Sequence, residues 1–175
     1  MSDTTRDQEL LGIYLNDHLA GAVAGSGLAR RLADNERDWA ESAALDRLAT
    51  EIAEDRGALK DMLAALDVPV RTYKTWATWT AERIGRLKLN GRLFRRSPLS
   101  RVLELEAMLL GVEGKAAGWR SLRARAENDP CLDTGRLDAL IDRAYLQIAE
   151  LERLRIKAAA EVLGGRVDAD ADRRP

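Results

Sequence analysis

The sequence is short of the residues that build disulfide frameworks, sheets and redox centres. Cys131 is its single cysteine, which excludes an intrachain disulfide and a thiolate metal cluster and fits a reducing compartment. Aromatic residues make up only 5% and β-branched residues are sparse, so little favours strands. Neither sign of charge prevails: 28 basic residues stand against 29 acidic ones, and bulk charge points neither toward nucleic acid nor away from it. The longest weakly apolar run, 19–29, is glycine-rich, carries Ser26 and falls well short of the ~20 residues a membrane span needs. The first residues lack the basic and then apolar regions of a signal peptide. These absences lead us to expect a soluble, cytoplasmic protein. The chain also lacks a phosphate loop, a catalytic cysteine setting and a nucleophile-elbow serine, and His18 is its one histidine, so the motif-bearing enzyme classes are not indicated.

Alanine, leucine and arginine dominate what remains, and 33% of the residues are charged. That is the composition of long helices with solvated faces. At 175 residues the chain is one domain by length, with enough apolar side chains for a core. Periodicity places a first helix over 7–33, with Leu11, Tyr14, Leu15, His18, Ala22, Gly25, Leu28 and Leu32 on its buried face. Gly12, Gly21, Gly25 and Gly27 each cost about 1 kcal/mol against alanine in a helix interior, so a close neighbouring helix is expected beside them. A break at Asp34-Asn35-Glu36 precedes a second helix over 38–66, whose stripe of Leu45, Leu48, Ile52, Leu59, Met62 and Leu66 is interrupted by Asp55. Val68-Pro69 ends it.

A shorter helix is expected over 70–89, carrying Trp76 and Trp79 and docking across the bundle. Ser97-Pro98 is a start signal, serine as N-cap and proline in the first turn, for a third helix over 98–126. Its expected stripe is Leu99, Val102, Leu103, Leu109, Leu110 and Ala117, with Glu106 and Glu113 set among them. A fourth helix over 133–163 presents Leu137, Ile141, Ala144, Ile148, Leu151, Arg155 and Ala158. Residues 1–164 therefore read as one helical-bundle domain and 165–175 as a disordered tail. Four helices of about 27–31 residues, two hairpins joined by a crossover, match a ferritin-like bundle; an up-down bundle of five helices is the competing topology.

A carboxylate facing a core is costly unless it is paired, protonated or bound to metal. With the first loop centred near residue 35, His18 falls within a turn of Glu51 and Asp55. With the second centred near 131, Glu113 falls near 149 and Glu106 beside Arg155. Two readings stand: a structural polar layer, with His18 bonded to Asp55 or Glu113 and a buried Glu106–Arg155 ion pair; or a single metal ion held by His18, Glu51, Asp55 and Glu113. The crossover carries Arg71, Lys74, Arg83, Arg86, Lys88, Arg92, Arg95 and Arg96 against one acid, Glu82. Such a patch can attract phosphates, although pairing with the acidic helices is the preferred reading.

The runs Leu-Asn-Asp-His-Leu-Ala-Gly (15–21), Glu-Ile-Ala-Glu-Asp-Arg (51–56), Gly-Arg-Leu-Lys-Leu-Asn-Gly-Arg (85–92) and Leu-Gly-Val-Glu-Gly-Lys (110–115) resemble an actinobacterial family of helical bundles within the ferritin-like superfamily. The resemblance covers about residues 7–164 and implies an all-α, ferritin-like four-helix bundle of two antiparallel hairpins with a short extra helix in the crossover. Di-iron members of that superfamily use Glu-x-x-His pairs. This chain has none, so the superfamily's iron chemistry does not carry over.

The leading expectation is thus a non-catalytic bundle with a buried polar layer, acting through protein partners or self-association, with no cofactor. The alternative is a metal-binding protein with a mononuclear or degenerate dinuclear site. A third is weak polyanion or membrane-surface binding, without sequence preference, through the basic crossover.

Overall fold

A computed structural model describes residues 3–71 and 97–164. Within them lie four helices and no strand: α1 (Asp3–Asn35), α2 (Ser42–Ala65), α3 (Pro98–Ala126) and α4 (Thr134–Leu163). None is long and apolar enough to cross a membrane. The short helix expected over 70–89, its tryptophans, the basic patch and the tail lie outside the described residues.

The helix ends follow local chemistry. Ser97 Oγ accepts the Leu99 amide at 3.3 Å with Pro98 in the first turn, and the Asp133 carboxylate accepts the Arg136 amide at 2.9 Å at the start of α4. Gly164, at φ 72°, closes α4 in the left-handed conformation that glycine adopts without a Cβ clash. The end of α2 uses the same geometry with a less obvious residue. Asp67 sits at φ 52°, the Val68 amide donates to Leu63 O at 2.9 Å and the Asp67 amide to Ala64 O at 3.1 Å. These are the two bonds of a Schellman motif, and an aspartate tolerates the left-handed position better than most side chains do.

The second helix starts later than its periodicity suggests. Residues 36–41 form turns, with Trp39 N donating to Glu36 O and Ser42 N to Trp39 O, each at 3.0 Å. The cause is Trp39 itself, which is buried, donates Nε1–H to Glu161 at 3.0 Å and lies under the Arg101 guanidinium at 4.4 Å. A tryptophan holding α3 and α4 in this way fixes the turn.

Leucine and alanine fill the core. Leu15, Leu32, Leu45, Leu48, Leu63, Leu105, Leu137, Leu151 and Leu154 are among its largest fully buried side chains. The expected stripe of α2 is the observed one, including Asp55. For α3 the observed face differs: Val102, Leu105, Met108, Val112, Ala116, Trp119 and Leu122 are buried, whereas Leu110 is 74% and Leu99 40% exposed, and Glu113 and Ala117 are exposed. The helix is turned relative to the expectation because Trp119 and Met108 bury more apolar area than Leu99 and Leu110 would.

The seams between helices are ordered pairs. Across α2, with the Glu41 that precedes it, and α4, Glu41 meets Arg153 at 2.7 Å, Arg47 meets Glu150 at 3.2 Å, Glu54 meets Arg143 at 2.9 Å and Asp61 meets Arg136 at 2.6 Å. Numbers rise along α2 as they fall along α4. The same inverse order links α3 to α4 through Arg123–Asp138 (2.8 Å) and Glu106–Arg155 (3.8 Å). Near the middle of α1, Asn16 fastens the chain that leaves α2, donating to Pro69 O at 3.1 Å and accepting the Arg71 amide at 2.8 Å.

Candidate functional site

Asp55 is the centre of the polar layer. It is 1% exposed and so needs charge compensation to remain ionised. Lys115 Nζ donates to Asp55 Oδ2, and Arg143 Nη2 donates to Oδ1. Gln147 Nε2 adds 3.3 Å and 3.1 Å bonds to Asp55 Oδ2 and Glu51 Oε2, while its Oε1 accepts from Lys115. Arg143 also reaches Glu54 at 2.9 Å. Burial pushes the Lys115 ammonium below its usual range; the Asp55 charge and hydrogen bond act against that shift, Arg143 adds to it and Glu51 opposes it. The result is a network in which the central carboxylate has every oxygen engaged.

Glu51 and Asp55, two of the ligands in the metal reading, are instead joined through Gln147. Lys115, Arg143 and Gln147 complete the layer and are not among the residues that the sequence pattern singles out. Lysine is the residue least expected indoors, yet Lys115 falls on the 112–116–119 face of α3, and an aspartate on an apolar stripe calls for a cation at the same level.

His18 stands apart from this network. It forms no hydrogen bond among the described residues, and burial lowers its pKa from the usual 6.5, only partly opposed by Asp17. Its ring packs edge-on against Tyr14, with centroids 4.5 Å apart, and lies over Gly118. A Cβ at Gly118 would come within 2.8 Å of its Cε1, so that glycine is what admits the ring. The expected bond from His18 to Asp55 or Glu113 is not made: Lys115 and Arg143 occupy Asp55, and Glu113 is exposed. No group of three or more His, Cys, Asp or Glu side chains among the described residues is placed to hold a metal ion, so His18, Glu51, Asp55 and Glu113 do not converge as a ligand set. The Glu106–Arg155 pair forms, but at 46% and 27% side-chain exposure it is a surface contact and not a buried one. Arg155 bonds more closely to Glu152, at 2.6 Å.

Between α1, α2 and α3 lies a cavity of about 450 Å³. Its walls are mainly apolar, with Leu15, Leu28, Ile52, Leu59, Met108, Val112 and Trp119 contributing, and His18, Tyr14 and the Asp55–Lys115 pair also reach it. Gly21 and Gly25 line it from α1, Gly111 and Gly114 from α3. A Cβ on any of these four would meet nothing within 4 Å. The close helix contact expected beside Gly21 and Gly25 is absent; the glycines border open space. No protein-family model, curated protein or solved structure matches this chain.

Proposed function

We propose that the protein is a non-catalytic binding protein with a ferritin-like arrangement, in which the polar layer sets the register and the cavity takes up a ligand. The inverse numbering across the α2–α4 and α3–α4 seams, together with Glu36 just past α1's end meeting Arg101 near the start of α3 at 2.6 Å, supports two antiparallel hairpins. In that arrangement α2 and α3 run the same way, which calls for the long crossover of ferritin-like bundles. The structural role of the layer follows from its closure: the oxygens of Asp55 are engaged by Lys115, Arg143 and Gln147.

The observation that carries the binding role is the placement of glycine. Helix-interior glycine costs about 1 kcal/mol against alanine, and close backbone contact is the ordinary compensation. Gly21, Gly25, Gly111 and Gly114 have no such contact. Retained space is the alternative return, and about 450 Å³ lies within the range of about 300–1,000 Å³ of small-molecule sites. Titration with the neutral dye N-phenyl-1-naphthylamine tests this. We expect enhanced, blue-shifted emission from the wild type, lost in Gly25→Leu/Gly111→Leu while that variant keeps its helicity and melting temperature. Equal emission from the filled variant would refute the proposal.

A further inference from the structure

Taking the cavity as a binding site, we infer that its ligand is a neutral aromatic hydroxy compound, lying between α1 and α3 with its hydroxyl on the imidazole of His18. Three observations lead to this class.

The first is charge. The acid and base that reach the cavity floor, Asp55 and Lys115, are bonded to each other and to Arg143 and Gln147. Arg56, also on the wall, donates to the neutral Ser26 hydroxyl at 2.9 Å and keeps its charge, which the carboxylate of Asp17 on the same lining balances in sign. The two acids and two bases of the lining cancel, so an ionised ligand would leave water for walls with no net charge of the opposite sign, a cost that a neutral ligand avoids. The second is His18. It is half-buried on the wall and unbonded among the described residues, with the ring fixed by Tyr14 and by the space over Gly118. A neutral imidazole offers one donor and one acceptor nitrogen, and a phenolic hydroxyl answers either. The third is shape. Glycines on both α1 and α3 leave backbone, not side chains, along two facing walls, while Tyr14, Trp119 and Met108 border the space. A flat ring fits such a slot, and aromatic and thioether groups are favourable neighbours for it.

Equilibrium dialysis of the full chain against naphthalene, 2-naphthol and 2-naphthoate provides the test. We expect 2-naphthol to bind about tenfold more tightly than naphthalene, the worth of one net hydrogen bond, and 2-naphthoate more weakly than either. His18→Leu should erase the preference for the hydroxyl while naphthalene binding survives. Gly118→Ala, which displaces the ring, should reduce the preference by a second route. Equal binding of naphthalene and 2-naphthol by the wild type, or tight binding of 2-naphthoate, overturns the ligand class and leaves the cavity as a site. An unchanged preference in His18→Leu overturns the role of His18. If none of the three probes binds, the cavity reading fails with it.

Discussion

Along the α2–α4 seam charged side chains meet level by level, from Glu41 against Arg153 to Asp61 against Arg136. Along the α1–α3 seam the corresponding middle positions are Gly21 and Gly25 on one side and Gly111 and Gly114 on the other, with nothing within 4 Å of where their side chains would be. Long side chains bridge one gap while the other stays open. Lys115 lies where the two meet: it lines the cavity and closes the Asp55 network. The contrast shows how a bundle can keep a cavity without losing its register. One seam carries the specific pairing, and the other is left free of side chains.

If that division is right, the heaviest damage comes from Asp55. Asp55→Ala leaves Lys115 and Arg143 facing each other in a partly dry site, so we expect a loss of about 3–5 kcal/mol in urea unfolding. Asp55→Leu combined with Lys115→Met should recover part of that loss, because the uncompensated charges decrease together with the carboxylate. A loss below 1 kcal/mol for Asp55→Ala would mean that the network is not what holds the seam.

The glycine seam should respond in the opposite direction. Gly21→Ala, Gly25→Ala, Gly111→Ala and Gly114→Ala are each expected to stabilise by up to about 1 kcal/mol, read as a higher urea midpoint at unchanged slope. Destabilisation of two or more would show that their backbones touch something after all, and the comparison would collapse.

How far these features can be read from sequence differs between the same two seams. The α2 face is legible because Leu45, Leu48, Ile52, Leu59 and Met62 are large, regularly spaced and set among charges, and Asp55 stands out against them. The α3 face is not. Its glycines and alanines give little contrast around the helix, and Leu99 and Leu110 suggest a face that Trp119, Met108 and Leu105 outweigh. With that rotation Glu113 is exposed, not on the buried stripe where the metal reading sets it. Loop position sets Glu106 beside Arg155, and the two are 3.8 Å apart, at the surface and not in the interior. Asp67 in the left-handed conformation has no periodic signature. The spacing of Gly21 and Gly25 reads as close packing, and only the surrounding geometry shows that it borders a cavity.

Individual outer pairs of the charged seam should matter less than its centre. Arg153 and Lys157 hold the Glu41 carboxyl down at about 2. Its contribution is therefore present above its unfolded value near 4.5 and is lost as pH falls through about 2. Glu41→Gln should cost about 1 kcal/mol or less near neutrality and should flatten the acid limb of the stability curve below pH 4. A larger loss, insensitive to added salt, would give the rim a weight that the comparison assigns to Asp55.

The smallest expected effect is on the open seam, and it concerns His18. Burial favours its neutral form, so the folded chain binds a proton less readily than the unfolded chain, whose imidazole titrates near 6.5. Stability linked to this group is complete above 6.5 and declines as pH falls through 6.5 toward the lower folded value. His18 is the sole histidine, and carboxylates held low by arginine partners, such as Glu41 and Glu150, contribute their changes at more acid pH. The window from pH 7 to 5 thus isolates it. We expect the urea midpoint to fall modestly across that window in the wild type and less in His18→Phe, and the imidazole proton resonances to titrate below 6.5. A ligand hydroxyl donating to the ring should move that titration further down, since protonation would remove the acceptor nitrogen, whereas one accepting from the ring should move it up. A titration at or above 6.5 in the free protein would mean that an acid reaches the imidazole, and the open seam would then carry a charge pair like its neighbour.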